Sequence, residues 1–223
     1  MPPAMCGRFT LASPARAVAA ALGLPDFPAL PPRFNVAPTQ AVAIVREAPA
    51  REVALARWGL VPSWARDLAK LPLLFNARAE TAPEKPSFRA AFRNRRCLIP
   101  ADGFFEWTGA AKTRRAHYFT LADGAPFAFA GLWDRWLAPD GTELDSCTIL
   151  TTGPNELLAR FHDRMPAILP RERIDAWLDP ALRDPARVAG LIGSYPAEAM
   201  CERAVGPTVN SAKNEGPACI EPA

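Results

Sequence analysis

Residues 24–40 read LPDFPALPPRFNVAPTQ, and this passage limits the fold more than any other stretch of the chain. Proline fixes φ, lacks an N–H donor and pushes the residue before it out of the helical region. Neither a helix nor a central strand is expected to run through it, so an ordered but irregular connection is the reading. The rest of the chain divides into short pieces. Ser13-Pro14 followed by ARAVAAALGL predicts an N-capped helix ending near Gly23. AVAIV and EVALARWGL are β-branched or alternating runs that predict strands. KPSFRAAFRNRR has Phe88, Ala91 and Phe92 at helical spacing.

CLIPADGFFEW predicts a strand broken at Asp102-Gly103. HYFTL and PFAFAGLWDRW flank ADGA, a hairpin signal. SCTILTT reads as a further apolar strand, GPNELLARFHDRM as beginning with a helix, and IDAWL and ARVAGLIGSY as short surface helices. CERAVGPTVN is expected to be strand or extended. No internal repeat or linker divides the 223 residues, which suffice for one sizeable core. Many short strands with interspersed helices predict a single α+β domain built on an antiparallel, barrel-like sheet with flanking short helices.

Composition excludes several classes. No apolar run approaches the roughly 20 residues of a membrane span, and no basic region followed by an apolar core reads as a secretory signal. A cytoplasmic location without membrane association is expected. Cys6, Cys97, Cys147, Cys201 and Cys219 are an odd number without a CxxC pair, and there are two histidines. Reduced thiols, with neither a disulfide framework nor a metal, are therefore expected. A formal net charge of +3 does not establish a nucleic-acid partner. Lysine occurs only at Lys70, Lys85, Lys112 and Lys213, the remaining basic residues being arginine. Arginine suits phosphate recognition, but a codon bias toward Ala, Arg and Pro, which the Ala- and Pro-rich sequence supports, is the better account of the overall excess.

Four constellations carry possible chemistry. In MCGRF, Cys6 is an internal thiol beside a turn glycine or, once the residues before it are removed, an N-terminal 1,2-aminothiol. The α-amine has a reference pKa of about 8, so part of it is neutral near pH 7. It can form an imine with an aldehyde, and the sulfur then closes a thiazolidine. In LLFNARAET, Asn76 and Arg78 would share a face of a strand. They either orient a substrate and hold a phosphate or form a solvated strand end. In IPADGFFEW, Glu106 sits between Phe105 and Trp107. Held against the rings it would have a raised pKa and shuttle protons; pointing outward it would be solvated. In FHDRMP, His162 stands at a break enforced by Pro166, exposed and oriented as acid–base work requires. His117, in RRAHYF, reads as structural or merely exposed.

MCGRF, RFNVAP, WGLVPSW, FNARAET, CLIPADGFFEW, TILTT, HDRMP and a late VN-x4-EGP occur together and in order. In these motifs the chain closely resembles the SOS response-associated peptidase (SRAP) family, also called abasic-site processing proteins, from Met5 nearly to the C-terminus. The resemblance implies a single SRAP-fold domain over residues 5–223. Residues 1–4 would be an over-extended start, or residues 1–5 a short propeptide removed by self-cleavage.

It further implies a DNA-damage enzyme of the SOS response that senses abasic sites in single-stranded DNA. The enzyme would form a covalent thiazolidine crosslink through an N-terminal Cys6, shielding the lesion from strand cleavage. The family's catalytic glutamate, histidine and asparagine fall on Glu106, His162 and Asn76, and a DNA-backbone arginine on Arg78. Arg8, Asn35, Pro38, Trp58, Trp64 and Arg164 match positions lining the DNA-binding face or site, Trp64 as a wedge or stacking platform. No cofactor is implied; the partner is abasic single-stranded DNA, bound by a monomer in the cytoplasm and on the nucleoid. The competing readings are a cysteine-type (auto)peptidase, built from the same cysteine, histidine and glutamate, and a non-catalytic single-strand binding module.

Overall fold

The run CLIPADGFFEW forms two strands that belong to two different sheets. A computed structural model describes residues 7–110 and 113–223. In chain order the elements are β1 (Phe9–Leu11), α1 (Ala15–Leu22), β2 (Arg33–Val36), β3 (Ala41–Glu47), β4 (Arg51–Trp58), β5 (Asn76–Arg78), α2 (Arg89–Asn94), β6 (Arg96–Ala101), β7 (Gly103–Thr108), β8 (Arg115–Leu121), β9 (Phe127–Leu137), β10 (Glu143–Thr152), β11 (Met165–Pro166), α3 (Ile174–Leu178), α4 (Pro185–Ala189) and β12 (Met200–Val205).

The first sheet has the order β12-β8-β7-β1-β2 and is antiparallel throughout. The second runs β11-β10-β4-β3-β6-β9, and β9 pairs back onto β10, closing β10, β4, β3, β6 and β9 into a five-stranded barrel. The expected α+β domain with a barrel is therefore present, but two sheets replace one. Two pairings, β10 with β4 and β10 with β5, are parallel.

Side chains of alternate parity on the barrel strands fall into two apolar clusters. Ala43, Val45, Leu98, Ala130 and Leu132 pack against Val18 and Leu22 of α1, Phe92 of α2 and Trp177 of α3. Val42, Ile44, Ile99, Phe129 and Ile149 pack against Phe9, Phe104 and Phe119 of the first sheet. A third cluster, around Phe105, Trp107 and Tyr118, lies on the other face of the first sheet beneath Val209 and Cys219.

The crossing between the sheets is fixed at Asp102-Gly103. The Asp102 carboxylate accepts the N–H groups of Ala12 and Ser13 at 2.6 and 2.7 Å, the Ser13 hydroxyl at 2.9 Å, and the Thr10 hydroxyl. A Cβ on Gly103 would lie 2.3 Å from the Tyr118 phenol, so this step demands glycine. Asp102→Ala strands two backbone donors and should cost about 2–3 kcal/mol. A fall of about 4–12 °C in melting temperature is expected for a chain of this size, as measured by calorimetry.

Several local expectations are corrected. Pro14, not Ser13, occupies the N-cap position of α1, because the Ser13 hydroxyl is engaged by Asp102; Gly23 ends the helix in a left-handed conformation as expected. RFNV, placed in the irregular passage, is β2. It lies at a sheet edge and pairs only with β1, where flanking prolines break no ladder. ADGA does not make a hairpin. β8 pairs with β7 and β12, whereas the continuously buried Phe127–Leu132 stretch of β9 is drawn into the barrel. The expected helix after Gly153 is one 3-10 turn, Leu158–Arg160, because Asn155 ties its start to Tyr195 O and Pro166 ends the run.

Candidate active site and DNA-facing surface

β7 assigns its side chains to alternating faces. Phe104 stands opposite Phe119 and Glu106 opposite His117, whereas Phe105 and Trp107 face the third cluster. Glu106 is 3% exposed. His117 is structural: its Nε2 lies 2.9 Å from the Thr108 hydroxyl and its Nδ1 2.6 Å from a Glu202 carboxylate oxygen. The Phe161 ring packs against both His117 and Phe119, at 4.6 and 5.2 Å between centroids. This contact brings the turn carrying His162 to the Glu106 face of β7.

The C-terminal half of β10 gathers the second group. Ile149 aligns with Asn76 and Thr151 with Arg78, so Asn76 and Arg78 flank the buried Ala77 and share a face, as the alternation predicts. Arg164 donates two parallel hydrogen bonds to the Glu80 carboxylate at 2.8 and 2.7 Å and one to Thr151 O at 2.6 Å. Those bonds hold Glu80 below its ordinary carboxylate range. Arg164 thus braces β10 to the turn that follows β5, while Arg78 is exposed.

The Arg164 backbone N–H donates to His162 Nδ1 at 3.0 Å, and an Asp163 carboxylate oxygen lies 2.8 Å from the same nitrogen, so the turn itself orients the ring.

The apolar cluster between sheet and barrel joins the two groups. Phe9 follows Arg8 and packs edge-on against Trp58 at 5.1 Å; Trp58 packs against Phe75 at 5.9 Å, and Phe75 precedes Asn76. The Trp58 indole also donates to Phe75 O at 2.8 Å. Leu158 and Met165, buried in the same cluster, bracket His162.

Of the residues matched to the DNA-binding face or site, Trp58 and Asn35 are sealed from solvent, at 0% and 1% exposed. Trp58 is the floor beneath Phe9 and Phe75. Asn35 accepts from Arg8 at 2.8 Å and donates to Ser211 O and Asn214 O, both at 2.9 Å. Pro38 is half-buried in the turn from β2 to β3. Trp64 is 57% exposed, and its indole N–H donates to Pro86 O at 3.3 Å.

Cys6 lies outside the described residues. Two positions along the chain, Arg8 O accepts the Phe105 N–H at 3.0 Å, which sets Arg8 level with Phe105, one position before Glu106. Among the described residues no three His, Cys, Asp or Glu side chains are grouped as a metal ion needs, and no helix is long and apolar enough to cross a membrane. The sequence reading missed Phe161, Glu202 and Asn210; only Asn210 carried a signal, in the VN of VN-x4-EGP. It holds the Trp107 indole N–H at 2.8 Å.

The SOS response associated peptidase (SRAP) family model matches residues 5–212. The abasic site processing protein YoqW of Bacillus subtilis is 42% identical over 224 residues, covering 97% of this chain and 99% of its own. The abasic site processing protein HMCES of Rattus norvegicus is 34% identical over 198 residues, covering 75% of this chain and 56% of that longer protein. Among solved structures, a protein from Bacteroides thetaiotaomicron superposes with a TM-score of 0.82 at 29% identity, over 98% of this chain and all of that one.

Proposed function

Because this chain belongs to the SOS response associated peptidase family, we propose that it processes abasic sites in single-stranded DNA by forming a thiazolidine crosslink through Cys6. The observation that supports this most is a carboxylate, Glu106, buried at 3% exposure and facing the turn that carries His162. Asn76 and the exposed Arg78 stand across the same apolar cluster.

The chemistry needs only acids and bases. An abasic deoxyribose is mostly a closed hemiacetal and reacts as the ring-opened aldehyde. His162 moves a proton at the ring oxygen during opening. The Cys6 amine attacks C1′ to give a carbinolamine, Glu106 passes the proton that lets hydroxide leave as water, and the imine forms. The Cys6 thiol then adds across C=N, its proton going to nitrogen, so aldehyde and aminothiol become thiazolidine plus one water. The imine would permit β-elimination of the 3′ phosphate; the thiazolidine does not readily do so. Asn76 orients the amine or sugar, Arg78 holds a phosphate, and Trp64 stacks a base, a contact worth about 1–3 kcal/mol.

The amine exists only once the peptide bond before Cys6 is gone, whether by removal of an initiating Met5 or by cleavage of residues 1–5. The second activity we assign, autocleavage ahead of Cys6, rests on the same glutamate and histidine. On this reading the protein works as a monomer in the cytoplasm, on damaged DNA of the SOS response.

Incubation with an abasic oligonucleotide followed by denaturing electrophoresis tests the proposal. A slow band that persists after heating is expected from protein whose intact mass begins at Cys6, and its absence from such protein refutes the crosslink. Glu106→Gln should slow band formation by about a hundredfold, the lower end of general acid–base effects, with little change in affinity for undamaged DNA. An unaltered rate would remove Glu106 from the mechanism.

A further inference from the structure

Trp107 lies on the face of β7 opposite Glu106, and two guanidinium groups share its ring. Arg114 Cζ stands 4.3 Å from the indole centroid and Arg8 Cζ 5.9 Å. The ring itself is fixed by its hydrogen bond to Asn210. Arg8 Nη1 donates to two neutral acceptors, Asn35 Oδ1 and Val209 O, both at 2.8 Å. Among the described residues neither guanidinium forms an ion pair with a carboxylate. Among the described residues the other arginines stacked on a tryptophan have such a partner or a set of carbonyls: Arg46 pairs with Glu52 and Asp145, and Arg96 donates to the carbonyls of Trp177 and Asp179.

Two like charges on one ring repel, and partial burial adds to the cost. Both groups are lowered from the usual arginine range, burial being the larger cause in each. The Arg114 charge adds to it for Arg8, and the charge of Glu106, which makes no ion pair with Arg114, offsets it only in part for Arg114. An anion placed between them relieves both terms. Stacking on an indole leaves the edge N–H groups of a guanidinium free for a planar, forked contact with phosphate oxygens. We propose that Arg114, with Arg8 beside it on the same indole, holds a backbone phosphate of the DNA strand on the face of β7 opposite Glu106. This rests on the reading above and extends it. Arg78 would hold the strand at the β5 side, and Arg114 adds a second phosphate contact at the first sheet.

The test compares wild type, Arg114→Gln and Arg114→Lys of the full chain binding an undamaged fluorescent oligothymidylate at salt concentrations spanning a fourfold range. Losing one phosphate contact should make the slope of log K against log salt shallower by about 0.7 in the glutamine variant. Over that range wild type then loses about 2.6-fold more affinity than the variant. Lysine, which keeps the charge, should restore the slope, and melting temperatures should stay together. A glutamine slope equal to wild type overturns the proposal. So does a lysine variant as shallow and as destabilised as the glutamine one, which would make Arg114 a packing residue over Trp107. Wild-type crosslinking of abasic DNA is measured in parallel. Its failure removes the crosslink reading while the salt slopes still decide for Arg114, and its success beside an unchanged slope removes Arg114 alone.

Discussion

Cys6→Ala, in protein processed to begin at residue 6, gives no heat-stable adduct with an abasic single strand, yet borohydride still traps it on the DNA. The two outcomes separate the two functional groups of one residue. Alanine keeps the α-amine, so carbinolamine and imine form as before; without sulfur the imine cannot close to a ring. It either hydrolyses or loses the 3′ phosphate by elimination, so the variant should also nick the strand that wild type protects. Acetylating the N-terminus of wild type removes the amine and should abolish stable adduct, borohydride trapping and nicking together. Affinity for undamaged DNA, carried mainly by phosphate contacts, should change by no more than about threefold in either case. The readout is a denaturing gel with and without borohydride. A heat-stable band from the alanine variant would refute thiazolidine formation, and one from acetylated wild type would refute attack by the amine.

Trp58→Ala has the largest expected effect on the folded state. The side chain is fully buried, packs edge-on against Phe9 and Phe75, and donates to Phe75 O. Truncating a buried tryptophan costs about 3–5 kcal/mol; Phe75 O keeps the Ile149 N–H at 3.0 Å, so it is not left without a donor. A melting temperature lower by roughly 6–20 °C follows for a chain of this length. Trp58→Phe refills most of the volume but not the hydrogen bond, so its loss should lie between wild type and alanine. Because Phe9 follows Arg8 and Phe75 precedes Asn76, the crosslinking rate should fall in the same order, measured well below each variant's transition. A stability loss under about 1 kcal/mol in the alanine variant would show that Trp58 is not the floor of the site.

These two cases mark what the sequence conveys and what it does not. Strand and helix segments with clear periodicity, such as AVAIV, SCTILTT and ARAVAAAL, form where their patterns place them. Partner choice is not encoded locally. ADGA has the chemistry of a hairpin, yet β9 is buried continuously and finds its neighbours in β6 and β10. Ser13 looks like a helix cap until a carboxylate 89 positions away claims its hydroxyl. In the candidate site, residue types chosen for acid–base chemistry fall where two elements meet, but burial decides the roles of the others. Trp58 and Trp64 look alike in WGLVPSW, and one is sealed while the other is open to solvent. Arg164 and Arg78 look alike in composition, and only Arg164 is anchored to a carboxylate in the structure.

The support of Arg8 and Asn35 by Val209, Ser211 and Asn214 has a consequence for biosynthesis. The two halves of that clasp lie 201 positions apart at Arg8 and Val209, and Asn210 secures Trp107 from the same late stretch. A nascent chain still lacking that stretch has Arg8, Asn35 and Trp107 made but not secured. Arg8 and Asn35, among the earliest residues to be synthesised, are therefore among the last to be fixed in place, and the chain must be almost complete before the edge of the first sheet is locked.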